Sequence, residues 1–474
     1  MATVAVDAPT EAGIAVKALI DRARVAQAAI EDYTQQQVDD LIRAMVWAVC
    51  QPAVAERIAR LAIDESRLGN YESKLAKMAN KTRAALADII NDRSVGVINV
   101  DETRNIIEIA KPVGVIGALS TSTHPEATPV VKAINAVKGR NAIIIAPHPR
   151  GKKTNALVCS LMRAAIEKMG APADLVIAIE EPTLEGTTEL MRRCDRILAT
   201  GGAPMVKAAY SSGTPALGVG VGNAAITVDD TADLAEAADK IRISKTFDES
   251  TSCSSDNAVI AFRTIREPLL AELRKQGGYV VTPEEGRRIA QVLWQDGTLN
   301  RDLICQPAVP IATAARIDLP AGTKFIVVPE TGVGPEHPLS GEKLSVVMAF
   351  YTVDSLNEAI ELTNRIQQYQ GLGHSCGLYT RSDENILQFA LRTRTSRVMV
   401  NQPQSLSNSG ALWNGMRQTF SLGCGSWGRN ATTNNINWRD LINVTTISKP
   451  LKTPKTLPSN EELFGDVMQR LAKA

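Results

Sequence analysis

Between residues 113 and 213 apolar runs and helical stretches take turns, and that order leaves few folds open. Strand-like segments at 113–119, 142–146, 175–179 and 196–199 alternate with helical ones at 129–137, 154–169, 184–192 and 204–211; Gly139, Gly170 and Gly213 close three of the helices. A βαβα order of this kind demands a parallel sheet covered by helices on both faces, with ligands lying outside the carboxyl ends of the strands. A second α/β series follows. It has helices near 231–244, 267–275, 283–294 and 356–368, and strands at 258–262, 324–328, 344–350, 375–379 and 397–400. The expected fold class is therefore α/β with two parallel-sheet domains. At 474 residues, the chain is too long for one ordinary core.

The expected division is a cofactor-binding domain at 1–230, a catalytic domain at 231–420, and a C-terminal return segment with arm strand and tail helix at 421–474. Helices fill residues 9–91, with apolar positions such as Val38, Leu41, Ile42, Met45 and Val46 at helical spacing. At 93–110 the pattern turns to alternation around a polar DETRN centre, which reads as a hairpin arm. A strand-like run at 441–447 and an amphipathic stretch at 460–472 end the chain, the latter expected to dock on its own subunit.

Composition narrows the function. Lys and Arg total 52 against 51 Asp and Glu, a net charge of +1 without blocks of like charge, so nothing points to nucleic acid or an anionic membrane. No apolar run approaches the roughly 20 residues of a spanning helix, and the N-terminus lacks an export-type core. Seven scattered cysteines without a CxxC pair fit reduced thiols in a cytoplasm rather than a disulfide framework or a metal site.

One of these thiols stands apart. Cys253 lies in KTFDESTSCSSDNAVI, among small hydroxyl residues that leave its sulfur reachable and just before an apolar run. An ordinary thiol, with a pKa of about 8.5, is only slightly ionised at neutral pH, so a nucleophilic role requires help from its surroundings. A small buried core residue is the bland reading of the same stretch.

The expected strand ends carry the ligand candidates. STSTHPEATP brings Thr121 and His124; PHPRGKK brings His148, Arg150, Lys152 and Lys153; TGGAP brings Gly201 and Gly202 ahead of a helix N-terminus. A basic cluster with no acidic residue before it suits a 2′-phosphate, hence NADP rather than NAD. In PALGVGVGN, the alternating Gly218, Gly220 and Gly222 leave one face of an extended segment bare, so that a flat ligand or another backbone can approach. Beyond residue 400, NQPQSLSNSGALWNGM reads as too irregular for core and suited to a polar pocket, with Arg417 the cation nearby.

These phrases together resemble the aldehyde dehydrogenase superfamily over nearly the whole chain, and most closely its CoA-acylating branch. TFDESTSC, PHPRGKK, LATGGAPMVKAAYSSGTPALGVGVGN, GEKLSVV, GLGHS and SLGCGSWGRNATTNNINW carry the match in order. The resemblance implies that Cys253 adds to an aldehyde, that hydride passes to a nicotinamide, and that CoA collects the acyl group. It also implies that Glu342 holds the nicotinamide ribose, that His148 edges the adenine, and that 93–110 with 441–447 forms an oligomerising arm of a homodimer or homotetramer. Where hydrolytic members keep a water-activating glutamate, this chain has GVGVGN and no base. Where the family usually has an oxyanion-holding asparagine, this chain has His124. Among the acylating members, NQPQSLSNSG and SLGCGSWG look most like those acting on a sulfonated aldehyde, with Asn401, Ser405 and Arg417 as candidates for the anionic group. The alternatives are an acylating enzyme for succinate semialdehyde or acetaldehyde, or a hydrolytic aldehyde dehydrogenase.

Overall fold

A computed structural model describes residues 10–295 and 297–473. Two parallel sheets organise it. The first has five strands in the order Val176–Ala178, Ala142–Pro147, Val115–Ser120, Arg196–Thr200, Ala216–Val219. Its order reverses beside Val115–Ser120, which opens a crevice at the carboxyl ends of that strand and of Arg196–Thr200. The second has seven strands in the order Gly278–Val280, Phe325–Pro329, Val347–Val353, Asp256–Phe262, Ala224–Val228, Cys376–Tyr379, Val398–Val400, again all parallel.

The chain changes sheets between Val219 and Ala224, ahead of the boundary expected at residue 230. Alternating glycines let the backbone make that crossing while lying close to its neighbours. Leu422, Ile436, Trp438, Leu441 and Ile442 pack into the core of the first sheet, so the return segment completes the half built on that sheet. The hairpin Gly96–Asp101 and Ile106–Pro112 pairs antiparallel with Ile442–Ser448 in a three-stranded arm, with Asp101↔Ile106 at its turn and Val444 opposite Ala110. Residues 443–448 are exposed along the arm's edge.

Two segments differ from expectation. Much of 401–421 is buried: Gln404, Ser405, Ser407, Asn408, Gln418, Thr419 and Ser421 are interior polar residues, with hydrogen bonds to one another, to backbone and to the side chains of Asp88, Ser244 and Asp256. The tail forms two short helices, Asn460–Phe464 and Asp466–Ala472, broken at Gly465 with φ 44°, and neither buries a residue on its own subunit. Among the described residues, no helix is long and apolar enough to cross a membrane.

Candidate active site

A cavity of about 880 Å³ lies where the carboxyl ends of the first sheet meet the amino ends of the second. The first sheet contributes Ser120–His124, His148, Gly201 and Gly202; the crossing contributes Gly220 and Val221; the loops ahead of Asp256–Phe262 and Val347–Val353 contribute Cys253 and Glu342.

Cys253 is half-buried, following a turn in which Asp248, Glu249 and Ser250 all adopt left-handed backbone, with φ of 49°, 50° and 61°. For residues with side chains that is strained geometry, and it persists only where surroundings over-determine it. Asp248 supplies the restraint. Its carboxylate accepts from Lys74 at 2.8 Å, from Lys77, from Thr251 Oγ1 at 2.6 Å and from the Asn70 amide at 2.9 Å. Those ammonium groups hold it well below the usual carboxylate range, against its burial. The carboxylates of Asp248 and Glu126 lie within 4.8 Å of His124, but the Lys77 ammonium stands 3.4 Å from Glu126 and against Asp248, so cation charge is already supplied there.

Opposite the sulfur is a residue that sequence reasoning did not single out. His374 Nε2 lies 3.2 Å from Cys253 Sγ, and its Nδ1 is 2.8 Å from Ser375 Oγ. Burial, then the nearby Arg397, pulls the imidazole down to about 3, so the ring is neutral. In the tautomer whose Nδ1–H donates to Ser375 Oγ, Nε2 is the acceptor toward the thiol. Arg397 donates to the carbonyls of His374 at 2.8 Å, Gly423 at 2.7 Å and Thr433 at 2.9 Å, tying the histidine to the return segment. Gly373 adopts φ +81°, and a Cβ there would meet the Cys424 carbonyl oxygen at 2.0 Å. The available signal was GLGHS: glycines on both sides of one leucine, then a histidine.

His124 lines the cavity, and its Nδ1 lies 2.8 Å from Lys77 Nζ. An ammonium can only donate, so Nδ1 accepts and the proton resides on Nε2. Burial and the two lysines hold the ring neutral, well below its ordinary value. A neutral Nε2–H donor is thus available to a developing oxyanion.

Glu342 is the one carboxylate on the cavity wall among the described residues; its Oε1 accepts from the Gly222 amide at 3.2 Å. Burial pushes it up to about 8, which leaves it mostly protonated at neutral pH and a poor base for water. The glycines of the crossing divide their work. A Cβ on Gly218 would strike the Tyr210 ring at 2.6 Å, one on Gly222 would strike the Cys253 carbonyl oxygen at 1.9 Å, and Gly220 faces open space.

Other expected residues disperse. Thr121 and Ser405 are on the wall; Ser405 donates its amide to Ser244 Oγ at 3.1 Å, and its own hydroxyl has no partner. Asn401 and Arg417 are not on it. Asn401 is pinned to Thr380 at the carboxyl end of the second sheet, the far side from Cys253. Arg417 is neutralised by Asp88 and Asp92 at 3.3 and 3.1 Å. The basic turn after Pro147 is also spoken for in part: Arg150 donates to the Ser66 carbonyl at 2.6 Å and Lys152 pairs with Glu181 at 2.6 Å, while Lys153 is exposed. Neither Arg150 nor Lys153 touches the cavity. The turn has carboxylates beside it after all, because the fold brings in Glu181 and Glu65, the latter accepting the Lys153 and Thr154 amides at 2.7 and 2.8 Å. The cavity's own cations, Lys77 and Lys81, come instead from a π-helical turn, Lys77–Lys81, in the N-terminal helices that read as core-facing stripes.

Residues 2–280 match the model of the aldehyde dehydrogenase family. The chain is 42% identical over 457 residues to a sulfoacetaldehyde dehydrogenase of Acholeplasma sp., covering 95% of this chain and 94% of the relative. It is 39% identical to a succinate-semialdehyde dehydrogenase (acetylating) of Clostridium kluyveri, covering 95% and 99%. The crystal structure of an acetylating aldehyde dehydrogenase from Geobacillus thermoglucosidasius superposes with a TM-score of 0.90 at 36% identity, covering 94% of this chain and 99% of that one. With its sheet order, its cysteine loop and these matches over nearly its full length, the chain belongs to the aldehyde dehydrogenase family.

Proposed function

We propose that this enzyme is a CoA-acylating aldehyde dehydrogenase that oxidises sulfoacetaldehyde to sulfoacetyl-CoA with a nicotinamide dinucleotide. The observation that carries the reading is the Cys253–His374 contact at 3.2 Å in a cavity whose only wall carboxylate among the described residues, Glu342, stays protonated to about 8. A relative named sulfoacetaldehyde dehydrogenase at 42% identity supports the substrate, and one named acylating, at 40% identity over 96% of this chain, supports the acceptor.

The cavity fits a dinucleotide. Gly201 and Gly202 leave the N-terminus of Ala203–Tyr210 without a side-chain cap, so its amides are open to a phosphate, and Gly220 leaves room beside Cys253. When bound, the oxidised nicotinamide takes up hydride and brings a positive charge. The protein's own residues do the rest. The Cys253 S–H gives its proton to His374 Nε2 as sulfur bonds to the carbonyl carbon, and His124 Nε2–H donates to the resulting oxyanion. Loss of hydride from that carbon restores the C=O bond and leaves a thioacyl group on Cys253. The sulfur of CoA then bonds to the acyl carbon as its proton is released to solvent, the Cys253 C–S bond breaks with the departing sulfur taking back the proton held on His374 Nε2, and acyl-CoA leaves. Water is disfavoured because no ionised carboxylate stands ready to deprotonate it, whereas a thiol is acidic enough to attack with little help.

NADP use would rest on Lys153, the exposed cation of the basic turn, which lies outside the cavity wall and could meet only a 2′-phosphate that projects beyond it; NAD is the alternative. The exposed edge of the three-stranded arm supports a homodimer or homotetramer, and seven unpaired thiols support a cytoplasmic setting. Steady-state rates with sulfoacetaldehyde, succinate semialdehyde and acetaldehyde, each with and without CoA and with NAD or NADP, test the whole reading. Turnover that requires CoA, with the highest kcat/KM for sulfoacetaldehyde, is expected. Free acid produced equally fast without CoA contradicts the acylating step, and a preference for acetaldehyde contradicts the substrate.

A further inference from the structure

We propose that Lys81 is the specificity-determining cation of this enzyme: it receives the anionic head group of the aldehyde, sulfonate or carboxylate, while Cys253 takes the carbonyl. The inference rests on the proposed acylating reaction and names the residue that selects its substrate. Ala76, Lys77, Asn80, Lys81 and Ala84 face the cavity from one side of the N-terminal helices, across the π turn. A π turn in an otherwise α-helical run is commonly retained for a functional site. Its two wall lysines differ in charge balance. Lys77 is neutralised by Asp248, with Glu126 at 3.4 Å. Lys81 Nζ donates to the Ser409 carbonyl at 2.7 Å, the Gly410 carbonyl at 2.5 Å and Gln418 Oε1 at 2.5 Å, all neutral. The nearest carboxylate acting on it, Asp88, is itself engaged by Arg417. Lys81 is therefore satisfied as a donor but not neutralised as a charge, and burial without a counter-ion pulls it down to about 7.

Such a site gains from an anion that replaces one neutral acceptor by a charge-assisted bond. Its place relative to the chemistry is suitable. The Phe420 ring lies 5.3 Å from the His124 ring and 5.9 Å from Lys81 Nζ, so the oxyanion donor and the free cation flank one aromatic ring. A short aldehyde held at both ends would lay its methylene against that ring. The residue first expected in this role, Arg417, has two carboxylates of its own and no access to the cavity.

The test measures the ratio of kcat/KM for an anionic aldehyde to that for acetaldehyde, all with CoA, in wild type, Lys81→Met and Lys81→Arg. Sulfoacetaldehyde and succinate semialdehyde are separate arms, and the one with the higher wild-type ratio identifies the head group. Lys81→Met is expected to lower that ratio by about 30-fold or more, and Lys81→Arg to stay within about fivefold of wild type because it keeps the charge. In parallel, 2-hydroxyethanesulfonate, an unreactive anion of similar length, is expected to compete with aldehyde in wild type and not in Lys81→Met. If wild type prefers the anionic aldehyde and Lys81→Met keeps the preference, Lys81 is only a clamp on residues 409–418 and the inference is overturned. If wild type shows no preference for either anion, the substrate reading itself falls. Should Lys81→Met fold poorly, loss of the ratio in Lys81→Gln is the supporting result, and its retention there the overturning one.

Discussion

At Cys253 the surroundings oppose ionisation. Burial, then Glu342 and Cys424, push the thiol up to about 12, and the Ser254 side chain and Arg397 only partly offset them. His374 is pulled the other way, so the resting pair is thiol and imidazole rather than thiolate and imidazolium. In the proposed reaction, ionisation would await the loaded site, where aldehyde and a cationic ring are present. A raised thiol pKa means less thiolate at every pH below it, so alkylation of Cys253 by iodoacetamide in the ligand-free enzyme should climb steadily between about pH 6.5 and about 9.5, without the levelling that an ordinary thiol shows beyond about 8.5. Mass spectrometry of the alkylated peptide at each pH checks this, and a plateau near neutrality contradicts it. Removing the acceptor, His374→Ala, is expected to lower kcat about 100-fold. Steady-state NAD(P)H formation measures it, and a rate unchanged from wild type would show that the 3.2 Å contact is idle.

Among the elements, the crossing between the sheets matters most. It runs past the cysteine loop so closely that Gly222 has no room for a side chain: the Cys253 carbonyl oxygen would lie 1.9 Å from its Cβ. Gly222→Ala must move one backbone or the other, and because the cysteine loop already holds three strained residues, the loop is the part that yields. The expected cost is about 2 kcal/mol of stability or more, with kcat down at least about tenfold. Differential scanning calorimetry and steady-state rates read the two effects together. Reading the alternating glycines as a bare face was right about close approach, but period alone could not say that Gly218 meets Tyr210, Gly222 meets the backbone of Cys253 and Gly220 meets neither. The π turn at Lys77–Lys81 was equally hidden. KLAKMANK has ordinary helical spacing, and only packing, of Lys81 against residues 409–418 and of Lys77 against Asp248, distinguishes its cations from surface lysines.

For the whole molecule, the active cavity is a joint between two sheets, completed by a return segment that crosses back to the first. The tail beyond Pro458 takes no part in it. None of residues 459–473 is buried. Deleting residues 459–474 is therefore expected to leave the unfolding temperature within about 2 °C of the full chain and kcat within about twofold; calorimetry and the CoA-dependent assay measure both. A larger loss would mean that the tail packs against another copy.

What the sequence determined by itself was the plan: alternation that required parallel sheets, a cysteine set among small residues, strand-end loops carrying Thr121, His124, His148, Gly201 and Gly202, and a hairpin at 93–110. These are local patterns, and local patterns survive without coordinates because backbone periodicity and side-chain size act over a few residues. What the tertiary structure decided was which charges are neutralised. Arg417 met Asp88 and Asp92, Lys152 met Glu181, Lys77 met Asp248, and Lys81 met only neutral oxygens. His374 reached Cys253 from 121 positions away. Pairing of this kind depends on distances between segments remote in the chain, and the electrostatic energy of a buried group is set by the few ångströms around it.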